Sequence, residues 1–179
     1  IGAVFFDYNG DNRLDVMVGN FLAFDPSIVS PVSREAQPHP SQYKGQASML
    51  YEQQPDGSFR DVTKQVNLYY PDSKCMGLTV FDFDNDGDLD IFAANGNAEE
   101  LILQLQLLLE NDGKGHFTDV GRRHSDYFLK RRSGRGMAVC DYDNDGDLDI
   151  IVSHVDLIAT PVLLRNDGGN RNNWLGLTP

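Results

Sequence analysis

Apolar positions in this chain come in short runs bounded by polar loops. Val4-Phe5-Phe6 and Ile150-Ile151-Val152 each flank an Asp-rich segment. Runs of this length between turn residues predict strands. Leu103-Gln-Leu-Gln-Leu107 alternates with period two, as a half-buried strand does. Leu, Gln and Glu also favour helix, so a helix over Ala98–Glu110 is the competing expectation there. Asn111-Asp-Gly-Lys-Gly115 is a hairpin turn signal, because Asn, Asp and Gly tolerate positive φ. The pattern predicts an all-β chain.

The pattern also repeats. Ala3–Val16, Thr79–Ile91 and Ala138–Ile150 share an apolar run, an Asp-rich loop and a second apolar run. A second motif follows: Asp56-Gly-Ser-Phe59-Arg-Asp61-Val62, then Asp112-Gly-Lys-Gly-His-Phe117-Thr-Asp119-Val120. In the third copy it decays to Asn166-Asp-Gly-Gly-Asn170 without the Phe-x-Asp-Val ending. Asp82 and Asp141 are 59 residues apart, and Phe59 and Phe117 are 58 apart. A fixed period of this size predicts a repeat architecture, and several strands per repeat suit a β-propeller blade. We expect a single propeller region over 1–179, with repeats at about 1–74, 75–133 and 134–179. The first repeat is longer, because Asp7 and Asp82 are 75 apart. Its insertion, 20–47, carries Pro26, Pro31, Pro38 and Pro40 and reads as an excursion or loop, not a strand. Three repeats are few for a ring of four to eight blades. The expectation is therefore part of a larger propeller, with remaining blades from the same or another chain. The start at Ile1 fits a processed chain or a piece of a longer one.

Charge sharpens this picture. The 179 residues carry 27 acids against 15 Lys and Arg, a formal net charge of −12. That disfavours a nucleic-acid partner, which needs a basic surface. Clustered, it favours a cation. No run of 18 apolar residues exists to span a membrane as a helix. Two cysteines make no disulfide framework; Cys140 stands where the other copies have Phe6 and Phe81, and is expected to be a small buried core residue.

The acids cluster in three loops. In the second, Asp82, Asp84, Asp86 and Asp90 occupy positions 1, 3, 5 and 9. Carboxylates this close repel by on the order of several kcal/mol per pair when partly desolvated, and no Lys or Arg is interleaved. A divalent cation removes the conflict. Alternate side chains, with the backbone carbonyl of Asp88 at position 7, can surround one ion with oxygens. Gly87 at position 6 permits the sharp turn. Hard oxygen donors without His or Cys select Ca²⁺ or Mg²⁺, and a flexible all-protein cage favours Ca²⁺. The third loop repeats this with Asp141, Asp143, Asp145, Asp147 (carbonyl) and Asp149. The first has Asp7, Asn9, Asp11, Arg13 (carbonyl) and Asp15, three carboxylates instead of four, with Asn12 at position 6. Three Ca²⁺ sites are expected, that at Asp7 the weakest. An EF-hand is excluded, because position 12 is Val18, Ala93 or Val152.

These loops resemble FG-GAP/VCBS repeats, the calcium-binding blades of integrin α-type propellers. More closely, the order of features is similar to the cartilage acidic protein-like (ASPIC/UnbV) group. The insertion after Val18-Gly-Asn20-Phe21, Tyr43-x-Gly45 before Leu50-Tyr51, and Leu163-Leu-Arg-Asn-Asp-Gly-Gly-Asn170 with Trp174-Leu175 carry that likeness. Asn12 stands where the family loop has Gly, and the last Phe-x-Asp-Val is gone. The resemblance implies a β-propeller with Ca²⁺ in its blade loops, an extracytoplasmic location, and a role in binding a protein or glycan, as in adhesion.

Catalytic signals are poor. His39, His116, His124 and His154 have no metalloprotease spacing, no Gly-x-Ser-x-Gly elbow occurs, and Ser41-Gln-Tyr-Lys44 lies in the Pro-rich insertion without partner motifs. We expect no enzyme activity; the alternatives are a non-catalytic accessory part of a larger extracellular enzyme or a subunit of a surface or membrane-associated assembly. Six basic residues fall within Arg122–Arg135: Arg122, Arg123, Lys130, Arg131, Arg132 and Arg135. They form either a solvated loop or a docking patch for an acidic partner.

Overall fold

A computed structural model describes residues 2–33, 36–96, 103–155 and 160–169. The chain folds as three antiparallel sheets in sequence. The first holds β1 (Ala3–Phe6), β2 (Asp15–Val18), β3 (Met49–Gln53) and β4 (Phe59–Asp61). The second holds β5 (Cys75–Phe81), β6 (Asp90–Asn95), β7 (Leu107–Asn111) and β8 (Phe117–Asp119). The third holds β9 (Gly134–Cys140), β10 (Asp149–His154) and β11 (Val162–Leu164). Each strand pairs with its neighbour in sequence, giving three propeller-type blades. Two short helical turns follow β8, α1 (Gly121–His124) and a 3-10 turn (Asp126–Leu129).

The middle blade is packed on both faces, which explains the near-continuous apolar run of β6. Every residue of β6 is buried. Ile91 joins a core against the first blade, with Phe6, Tyr8, Met17 and Leu50. Phe92, one residue on, points the other way and joins a core against the third blade, with Ile150 and Val152. The cores thus lie between blades. First strands meet, with β5 against β1 and β9. Gly77 allows this approach, because a Cβ there would lie 2.6 Å from the Arg135 carbonyl oxygen.

Among its described residues the insertion forms bends, one short 3-10 turn (Pro40–Gln42) and a single Leu22–Gly45 bridge. It is tied to the body: Lys74 Nζ donates to the Pro40 carbonyl at 2.9 Å and Asn20 Nδ2 to the Ala47 carbonyl at 2.8 Å.

The strand expected over Leu103–Leu107 begins only at Leu107, and its Gln residues are not the solvent side. Gln106 is 1% exposed. Its amide takes the Asn95 N–H at 2.7 Å and donates to the carbonyls of Asn95 and Gln104, both at 3.0 Å. The competing helix over Ala98–Glu110 is excluded where β7 lies; residues 97–102 fall outside the described residues. Cys140 is exposed, not buried. Its equivalents Phe6 and Phe81 are covered by the following blade, and among the described residues no blade follows β9–β11.

Candidate metal centre

Each Asp loop joins the first two strands of a blade in the same register. Phe6 pairs with Asp15, Phe81 with Asp90 and Cys140 with Asp149. The residues between are therefore held in equivalent conformations. Position 4 is left-handed in all three, at Gly10, Asn85 and Asn144, and so is position 6, at Asn12, Gly87 and Gly146. Asn at φ 64° meets the requirement at position 6 without Gly. The first loop has exchanged Gly and Asn between two left-handed positions, so Asn12 leaves its path intact.

Position 1 nucleates the turn. Asp82 Oδ1 accepts the Asp86 N–H at 3.0 Å and Oδ2 the Gly87 N–H at 2.9 Å; Asp141 does the same with Asp145 and Gly146, each at 3.1 Å. Position 5 stabilises the next bend, with Asp86 Oδ1 accepting the Asp88 N–H at 3.0 Å. Position 9 is a buried staple. Asp90 accepts the Phe83 N–H at 3.0 Å and the Asn111 N–H at 2.8 Å, joining its loop to the third strand. Asp149 binds Tyr142 and Asn166 alike, at 3.1 and 2.8 Å.

The carboxylates then converge. Asp82, Asp84 and Asp86 each present an oxygen, mutually within 4.8 Å, as do Asp141, Asp143 and Asp149. In the second loop this is electrostatically costly. Burial, with Asp86 and Asp82 close by, pushes Asp84 up to about 6. Asp84 Oδ1 is buried without a hydrogen-bond partner; the nearby Asp86 N–H, a weak opposing influence on its ionisation, is committed to Asp82. Burial pushes Asp90 up to about 7 despite its two N–H bonds. Asp143 is raised by desolvation and then by Asp145 and Asp149. An orphaned buried oxygen among converging carboxylates fits a hard divalent cation.

Asp88 and Asp147 point toward the turn after the third strand, beside Gly113 and Gly169. Both are raised, by burial first and by Asp86 or Asp145 next. Their side chains lie outside the two converging groups. The first loop differs. Among the described residues Asp7, Asp11 and Asp15 form no converging group, and the Arg13 guanidinium pairs with Asp11.

Asn111 and Asn166 read in the sequence only as turn residues, yet they fasten the blades together. Asn111 Nδ2 donates to the Tyr8 carbonyl of the preceding Asp loop at 2.9 Å, and Asn166 Nδ2 to the Phe83 carbonyl at 2.6 Å. The signal was their identical placement before Asp-Gly in successive repeats.

Residues 41–93 and 96–152 match the model of a family described as FG-GAP-like repeat. The chain is 26% identical over 192 aligned positions to cartilage acidic protein 1 of Xenopus tropicalis, covering 99% of this chain and 24% of that protein. It is 24% identical over 189 positions to the Homo sapiens protein of the same name, covering 74% of this chain and 28% of the relative. The Mus musculus protein is 24% identical over 191 positions, with 99% and 24% covered. The chain thus spans about a quarter of the length of these relatives.

Proposed function

This chain belongs to the FG-GAP-like repeat family, and from that premise we propose that it is a calcium-stabilised, non-catalytic binding module of a larger extracytoplasmic β-propeller protein. Calcium sits in the loops at Asp82 and Asp141, where the carboxylates converge. The observation that carries this is the buried, unpartnered Asp84 Oδ1 among them. All donors are oxygens, which favours Ca²⁺ over zinc or copper, and a cage supplied by the protein favours Ca²⁺ over Mg²⁺, which keeps several waters. Calcium offsets the mutual repulsion, stiffens the first hairpin of the second and third blades, and so fixes the surface that a partner meets. On this reading the module works by recognition of a protein or glycan.

One exposed surface suits an acidic partner. Arg122, Arg123, Lys130 and Arg131 are all exposed in the segment joining the second and third blades. Such a cluster acts mainly on association rate and its salt dependence.

Calcium titration calorimetry tests the metal reading. The unaltered chain is expected to release or absorb heat with saturation, and Asp82→Ala and Asp141→Ala each to remove one binding event. A featureless titration of the unaltered chain would refute it.

A further inference from the structure

The three Asp loops share a backbone path but not a charge state. Residues 82–90 and 141–149 each contain five acids and no base, a net −5, whereas residues 7–15 hold three acids and Arg13, a net −2. In the first loop every carboxylate oxygen has a donor from the protein. Asp7 Oδ1 accepts the N–H groups of Gly10 and Asp11 at 2.8 and 3.1 Å, and Oδ2 that of Asn12 at 2.7 Å. Asp11 Oδ1 accepts the Arg13 N–H at 2.9 Å, and Oδ2 the Arg13 guanidinium. Asp15 accepts the Gln53 N–H at 2.8 Å and the Tyr8 N–H at 3.3 Å. Asn9 replaces the acid whose counterpart, Asp84, keeps a buried oxygen unpartnered.

Arg13 is also anchored outside the loop. Its Nε donates to the Gln53 carbonyl at 2.9 Å, so the guanidinium bridges the Asp loop and the end of β3. A fixed cation with directional donors can hold a carboxylate loop as an ion does, without leaving.

We propose that the first Asp loop is permanently filled by its own arginine: Arg13 stands in for the metal, this loop takes no calcium, and the chain binds two ions. This replaces the weak third site expected from the three carboxylates of that loop. It rests on the reading of the other two loops as calcium sites. The consequence is a division of labour, with one blade held independently of calcium and two made dependent on it.

Hydrogen exchange of the three loops, in chelator and in calcium, tests this. Residues 82–90 and 141–149 are expected to gain protection with calcium and residues 7–15 to stay unchanged. In Arg13→Gln, residues 7–15 should exchange roughly tenfold faster in chelator while the other loops do not change, the loss of a charge-assisted bond being of that order. The pair Asn9→Asp with Arg13→Asp should confer calcium protection on residues 7–15. Calcium protection of 7–15 in the unaltered chain overturns the inference and leaves the other two sites standing. So does a double variant that stays silent while those loops respond. If no loop responds to calcium, the proposed function falls instead. The chelator comparison still decides this inference: unchanged exchange of 7–15 in Arg13→Gln overturns it.

Discussion

Left-handed backbone at two positions of each Asp loop decides which residues these loops accept. Only Gly and Asn occupy them, at φ from 56° to 100°. The sequence shows the Asp spacing and the Gly at position 6, but the need at position 4 is hidden, because Asn85 and Asn144 read as ordinary polar loop residues. Asn85→Ala is expected to destabilise the chain by about 1 kcal/mol with calcium absent, measured by urea unfolding, because Ala is disfavoured at that φ. Protonation gives a second test at this scale. With carboxyls pushed up to about 6 at Asp84 and about 7 at Asp90, the folded chain holds protons that the unfolded chain releases near pH 4. Stability in chelator should therefore fall as pH rises from about 4 to about 7 and then level off. Melting temperatures across that range check the sign; calcium, by holding these groups ionised, should abolish the decline.

Elements depart from the sequence pattern where polar side chains perform structural tasks inside. In a half-buried strand with period two, Gln104 and Gln106 would face solvent beside buried leucines. Here Gln106 stitches the ends of β6 and β7 instead, and such ties depend on partners distant in sequence. The strands that the runs Val4-Phe5-Phe6 and Ile150-Ile151-Val152 reveal, β1 and β10, contribute Phe6, Ile150 and Val152 to the cores between blades. Phe92 is fully buried in β6, so Phe92→Ala should cost about 3–5 kcal/mol in denaturant unfolding. Asn111→Ala should cost about 1–3 kcal/mol, because it leaves the Tyr8 carbonyl and its own site unpaired.

At the scale of the molecule, repetition made the blades legible and decay of the repeat marks where they diverge. Phe117 of the second blade stacks on Tyr8 of the first, with ring centroids 6.4 Å apart. The third repeat lacks that Phe, and beside the corresponding Phe83 the described residues line a cleft that includes Phe128, Leu148, Ile150 and Leu164. How the insertion docks was not legible, because Lys74 and Asn20 hold it through backbone carbonyls that any sequence supplies. If the exposed basic segment docks an acidic partner, reversing Arg122, Arg123, Lys130 and Arg131 to Glu should slow association several-fold and flatten its salt dependence, as surface plasmon resonance would read.

Calcium binding by the folded chain is read out by thermal unfolding of the unaltered chain in chelator and across a calcium series. A ligand bound only by the folded state adds about 2.7 kcal/mol at a hundred times its dissociation constant. The melting temperature is expected to climb with calcium concentration, and Asp82→Ala and Asp141→Ala each to reduce that climb. A melting temperature indifferent to both calcium and chelator would contradict it.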